Sequence, residues 1–288
     1  MSSKIIILAD SLSELGGAEK TLKNYSDVLS GGCELVYLNT EELSPIHFSL
    51  YPNCMWIVGN FYWLIDRGLM EIFTDSISEY CVMNFDYLFC PMRNLEQYEH
   101  INKSQLPYTR YVKAVDEFLG NAQCLFFMSE LQQAKYLNKL KLINDSRCVV
   151  LGSLISSTEL DVIIKNQENK KSPLYCIYHQ PTWQKGLKES IQFCDDNAIK
   201  YEVLPRLDYE KFIQKLSSYS GLVFLPNGGD TAPRLVIEAK LLGLDLVLNQ
   251  NVEHKEEEWF KLGTPKSIVM HLNSLPDKFT KAIHHQDL

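Results

Sequence analysis

Ile5-Ile6-Ile7-Leu8-Ala9 is an unbroken apolar run that stops at Asp10. That is the pattern of a strand buried on both faces of a parallel sheet. A Gly16-Gly17 turn follows, and the spacing then predicts a helix from Ala18 to about Ser30. Short apolar runs recur at Leu35–Leu38, Met55–Val58, Tyr80–Met83, Leu125–Met128 and Cys148–Leu151. Ser129-Glu130 fits the cap of a helix reaching about Leu142. Strands alternating with helical stretches predict a parallel, doubly wound sheet.

The alternation breaks at Lys165-Asn166-Gln167-Glu168-Asn169-Lys170-Lys171-Ser172-Pro173, a polar run ending in a helix breaker. Beyond it, strands are predicted at Leu174–Tyr178, Tyr201–Leu204, Gly221–Leu225 and Leu244–Asn249. Helices are predicted at Lys185–Asn197, Asp208–Ser218 and Arg234–Leu242, and Glu256 to Phe260 continues as a short amphipathic helix. The simplest reading is an α/β chain of two facing Rossmann-like domains, residues 1–155 and 156–288, with a cleft where the strand ends meet.

The chemistry concentrates near the end of the second half. Asp230-Thr231-Ala232-Pro233-Arg234-Leu235-Val236-Ile237-Glu238-Ala239 reads as a polar loop running into a helix. If the helix begins near Pro233, Asp230 sits at the loop rim and Glu238 faces the same crevice. Paired carboxylates at that spacing suit a polyol, because each can accept hydrogen bonds from adjacent hydroxyls. The same pattern also describes a capped amphipathic helix with surface acids. Lys185-Gly186 opens a helix after the first strand of the second half, a poor place for a cation unless an anion is near. Gly16-Gly17 before the first helix could bring backbone N–H groups against an anion, or serve only as a turn.

Asp230-x7-Glu238-Ala239, Lys185-Gly186 and Gly16-Gly17-Ala18-Glu19 together resemble the retaining family-four glycosyltransferases of the GT-B fold, also called group-1 glycosyl transferases. The resemblance implies transfer of a sugar from a nucleotide-diphosphate sugar to an acceptor hydroxyl, with retention and without a bound metal or other cofactor. It implies that Glu238 holds the donor ribose, that Asp230 contacts the sugar, and that Lys185 pairs with the diphosphate. Gly16 and Gly17 would abut the diphosphate, Thr231, Ala232 and Arg234 would line the donor, and Arg206 would lie at the level of the nucleobase. Asp86, in Asn84-Phe85-Asp86-Tyr87 past a strand end, would contact an acceptor hydroxyl, with Arg93 and His100 as weaker candidates.

The sequence departs from the family in three places. Asp230 replaces the usual Glu, Pro233 removes a backbone donor, and His179 stands where Arg is common. Those departures keep open a sugar-nucleotide-binding or glycan-binding protein that kept the fold, or a related epimerase or phosphorylase.

Composition narrows the setting. With 45% hydrophobic and 22% charged residues, the 288-residue chain is globular and long enough for two cores. A formal charge of −8 argues against nucleic-acid partners. No apolar run nears the roughly 18 residues of a membrane span. The eight cysteines include no Cys-x-x-Cys pair, the distribution of reduced thiols in a cytoplasmic protein. The partners expected are a nucleotide sugar and a glycan, lipid-linked or small-molecule acceptor.

Overall fold

A computed structural model describes residues 4–10, 12 and 16–284. The first half carries β1 (Lys4–Ala9), α1 (Gly17–Leu29), β2 (Glu34–Asn39), α2 (Pro45–Leu50), β3 (Met55–Val58), α3 (Tyr62–Asp66), α4 (Met70–Ser76) and β4 (Tyr80–Asn84). It continues with α5 (Leu95–Asn102), α6 (Arg110–Asn121), β5 (Cys124–Phe127), α7 (Glu130–Lys139) and β6 (Cys148–Val150). Next come α8 (Ser157–Asn166), β7 (Tyr175–Tyr178), α9 (Leu187–Asp196), β8 (Tyr201–Leu204), α10 (Tyr209–Leu216), β9 (Gly221–Phe224), α11 (Arg234–Leu241) and β10 (Asp245–Leu248). Two helices close the chain, α12 (Glu258–Lys261) and α13 (Pro265–Ile283).

The strands form two parallel sheets, in the orders β2-β1-β3-β4-β5-β6 and β10-β9-β7-β8. In each, the chain reverses direction across the sheet once, between β1 and β3 and between β7 and β9. Those switch points open a crevice at the carboxyl ends of the strands, where ligands of such sheets bind.

Period-2 alternation divides the side chains of the first sheet. Ile5, Ile7, Ile57, Met83 and Phe126 face one core, where Leu22 and Tyr25 of α1 cover them. Ile6, Leu8, Trp56, Val82 and Phe127 face the other, against Phe48, Phe73, Phe118 and Tyr136 of the helices opposite. Successive apolar residues within β1, β3, β4 and β5 are therefore required, as the unbroken runs of the sequence imply.

The polar run at 165–173 is docked rather than loose. Gln167 donates to the carbonyl of Leu241 (2.9 Å), Asn169 to Ser217 (2.7 Å), and Lys171 to the carbonyl of Leu242 (3.0 Å). All three bonds hold the segment to the second half.

Helix α13 has no counterpart in the sequence reading, and two prolines, Pro265 and Pro276, fall within its span. Pro265 occupies the first turn, where no N–H is needed, under a Thr264–Ser267 capping box, and Pro276 lies within the helix. The helix returns to the first sheet. Phe279 packs on Tyr25 (4.9 Å between centroids) and Phe126 (5.1 Å), and Lys278 donates to the carbonyl of Val150.

Beside α13, Trp259 is sandwiched between His254 (5.7 Å, 13°) and His271 (4.3 Å, 5°). Burial, then the charge of Lys240, pulls the His254 imidazole down to about 3, and burial with Lys278 pulls His271 to about 4. The unfolded chain binds these protons near the ordinary value of 6.5, so it gains protons first on acidification. Stability is expected to fall from about pH 6.5 toward pH 3–4. His254→Phe should flatten the slope of unfolding free energy between pH 6.5 and 5 relative to the native chain. An unchanged slope would mean that His254 ionises freely in the fold.

Candidate functional site

The loops after the strands of the two sheets meet edge to edge. Thr231 donates its hydroxyl to the carbonyl of Phe85 (2.8 Å), and Ser153 donates to the carbonyl of Ala232 (2.6 Å). Asn94 donates to the carbonyl of Gly229, and the Gly229 N–H donates to Glu96. Gln184 donates to Gln97 (2.6 Å), and the ring of Trp183 stacks on His100. Glycine is required at 228, because a Cβ there would lie 2.3 Å from the Asn94 side chain. Glu253, only 4% exposed, lies beneath this seam. It accepts from Tyr87, Ser129 (2.9 Å) and Lys135 (2.9 Å), while Lys135 also pairs with Glu96 (2.9 Å).

Lys185 ends a 3-10 turn ahead of α9, and its ammonium pairs with Asp230 at 2.6 Å. The lysine is about a third exposed. Gly186, with φ +61°, makes this placement possible, because a Cβ would meet the Leu225 carbonyl oxygen at 1.8 Å. The turn after β7 is thus pressed onto the end of β9, at the switch point of the second sheet.

Glu238 is 3% exposed and Arg234, one turn earlier on α11, is 7% exposed. The Arg234 guanidinium contacts Glu159 at 2.6 Å and Glu238 at 3.6 Å, and donates to the carbonyl of Leu154 at 3.0 Å. Burial raises the Glu238 carboxyl above its ordinary value despite Arg234. Burial alone would raise Glu159 as well, but Arg234, the Ser156 N–H and Asn24 bring it below the usual range. Glu159 also closes the capping box of α8 on Ser156. Both carboxylates therefore serve one cation.

The start of α1 adjoins this cluster. A Cβ on Gly17 would lie 3.8 Å from Arg234 Cδ, and Gly16 caps the helix with no side-chain hydrogen bond. Lys20, in the first turns of α1, sits 4.3 Å over the Tyr209 ring. Burial and then Arg234 lower its ammonium, and it makes no carboxylate ion pair among the described residues. A helix N-terminus and a cation that makes no carboxylate ion pair among the described residues adjoin here, an arrangement suited to an anion.

No protein-family model matches this sequence, and no curated protein sequence matches it. Among solved structures, the chain is similar to the α,α-trehalose 6-phosphate synthase of Burkholderia multivorans, with TM-score 0.64 and 8% identity over 99% of each chain. It is similar to Anabaena Alr3699/HepE in complex with UDP-glucose, with TM-score 0.60 and 11% identity over 98% of this chain and 99% of that one. The sucrose-phosphate synthase of Thermosynechococcus elongatus gives TM-score 0.59 and 8% identity over 98% and 94%. The chain has the GT-B fold.

The GT-B cleft brings together some of the residues expected from sequence and not others. Lys185 and Asp230 meet, and Gly16, Gly17, Arg234 and Glu238 share one cluster. Thr231 and Ala232 are each 6% exposed and bonded to the first half. His179 is exposed past the end of β7, its backbone N–H bonded to the Leu204 carbonyl (2.8 Å). Arg206 is exposed, with no hydrogen-bond or ion-pair partner among the described residues.

Asp86 is held by Arg93, whose Nε donates at 2.7 Å and whose Nη2 lies at 2.5 Å. Burial raises the Asp86 carboxyl, Arg93 opposes the rise, and Asp10 and Lys185 act on it from further away. Arg93 itself has φ 56°, a conformation that a non-glycine residue adopts at a cost. Glu159, Tyr209, Lys20 and Glu253 escape the sequence reading. Only Glu159 left a signal, as the last residue of Ser156-x-x-Glu159. Among the described residues no group of three or more His, Cys, Asp or Glu side chains is arranged to hold a metal ion. None of the described helices is long and apolar enough to cross a membrane.

Proposed function

We propose that this chain is a glycosyltransferase that moves a sugar from a nucleotide-diphosphate sugar to an acceptor hydroxyl. The observation that carries the reading is that this GT-B fold holds two cationic positions, the α1 N-terminus with Lys20 and Arg234 over the Tyr209 ring, and Lys185 at the switch point of the second sheet. A diphosphate between these groups would meet positive charge from both halves, as Lys185 left Asp230 for the nearer anion. HepE was solved with UDP-glucose in the same fold, which supports a uridine donor as the first to try.

In this reading residues 1–155 form the acceptor side and 156–288 the donor side, and the protein works in the cytoplasm without a bound metal. The bond from the anomeric carbon to the diphosphate oxygen breaks, and the acceptor oxygen attacks the same face. The acceptor proton passes to the departing diphosphate oxygen, so no protein nucleophile is needed. Lys185 stabilises charge as it builds on the leaving group. Arg234 is the brace of the donor wall, and Glu238 and Glu159 hold it in place.

A second reading is a sugar-nucleotide-binding protein without turnover. It is favoured by the two internal ion pairs that already engage Asp230 and Glu238. Calorimetry with UDP, ADP and GDP, followed by an assay of nucleotide release from UDP-glucose, separates the two. The transferase reading expects a diphosphate to bind and slow release of UDP from the sugar nucleotide. Binding with no release over days leaves the second reading, and no binding of any diphosphate rejects both.

A further inference from the structure

We infer that the first half carries a pyranose subsite, a small aromatic-walled depression formed by Tyr62, Ile65, Asp66, Pro91 and Tyr111. It is open to solvent on one side and its volume is about 330 Å³. That lies at the lower end of the roughly 300–1,000 Å³ span of small-molecule sites. One sugar ring fits this space, whereas a lipid chain or a folded peptide does not.

The walls are fixed. The Tyr62 N–H donates to Asp10 at 2.9 Å and the Trp63 N–H to the same carboxylate at 3.3 Å, tying α3 to the end of β1. The Tyr111 hydroxyl donates to the carbonyl of Leu88 at 2.8 Å, which holds its ring in place. The depression therefore sits at the β1/β3 switch point, the crevice of the first sheet. Leu88 and Pro91 belong to the loop that also carries the Asp86–Arg93 pair, so the depression is lined in part by that loop.

Its chemistry selects the ligand class. Aromatic faces stack on the C–H face of a pyranose, whose hydroxyls need acceptors at the edge. Asp66 supplies one: it is exposed and has no hydrogen-bond or ion-pair partner among the described residues. No cation lines the depression, so it does not suit a phosphate. The role of this ring as the acceptor rests on the glycosyl-transfer reading, whereas its binding here does not.

Saturation-transfer NMR on the full chain tests it, with methyl α-glucopyranoside, methyl α-galactopyranoside and methyl α-mannopyranoside as probes. Maltotriose in a second arm shows whether the ring is taken free or as the end of a glycan, and uridine in a third reports a nucleobase instead. The expected result is transfer to ring C–H protons of at least one pyranoside. It should fall about fivefold or more in Tyr62→Ala and about threefold in Asp66→Asn, and persist in Tyr37→Ala on β2. Asp66→Asn keeps the test decisive if Tyr62→Ala fails to fold. No transfer on the native chain, transfer to uridine alone, or equal transfer in Asp66→Asn overturns the inference. UDP calorimetry on the same samples separates the two ideas. Pyranoside binding without UDP binding removes the donor reading and leaves the subsite, and UDP binding without pyranoside binding does the reverse.

Discussion

Lys185→Ala is expected to lower turnover by about a hundredfold or more while the affinity for the nucleotide sugar falls much less. The reason is the stage at which the ammonium matters. In the resting protein it already has a carboxylate partner, Asp230 at 2.6 Å, so a ground-state donor gains only the difference between two anions. As the sugar–oxygen bond breaks, charge grows on the diphosphate and the balance tips toward it, which is the condition for lowering a barrier. Removing one such stabiliser from a preorganised site costs about 10²–10³ in rate. Steady-state kinetics with donor affinity measured separately provide the check. A variant that loses donor affinity but keeps its turnover would show that Lys185 only binds.

Arg234→Ala should cost about 3–5 kcal/mol of stability, the range for removing one partner of a buried ion pair. The truncation leaves Glu159 and Glu238 facing each other in a site that is almost dry. Burial already raises the Glu238 carboxyl with the guanidinium present, and without it the Lys20 ammonium is left to offset two carboxylates. Arg234→Met combined with Glu159→Gln and Glu238→Gln should recover most of the loss, because no buried carboxylate is left unpaired and only the partly exposed Lys20 ammonium keeps its charge there. Urea unfolding of the two variants makes the comparison. If Glu238 instead holds a donor ribose directly, Glu238→Gln alone would weaken UDP binding by about 1.5–3 kcal/mol with little effect on unfolding.

The strands were legible because each is a short apolar run bounded by polar residues. Met55–Val58 and Tyr201–Leu204 coincide with β3 and β8 to the residue, and the remaining strands differ by one residue at one or both ends. The donor-side carboxylates were legible as a pair with a spacing. The second carboxylate on Arg234 was not, since Glu159 lies in another helix and reaches Arg234 only through the packing of α8 on α11. The same holds for Thr231 and Phe85, which are 146 residues apart in sequence. A threonine in a polar loop gives no hint of whether it meets a ligand or a carbonyl of the opposite half. The final helix was hidden by local grammar: two prolines mark a break unless one occupies the first turn and the other is tolerated within the helix.

That helix also sets the order in which the molecule can be completed during synthesis. One face of the first sheet is covered by α1 and by Phe279, so its core stays partly open until residues 265–283 have left the ribosome. Chains usually fold from the amino end as each unit emerges. Here the first sheet must wait for the second to be made, with Tyr25 and Phe126 open to water in the interval.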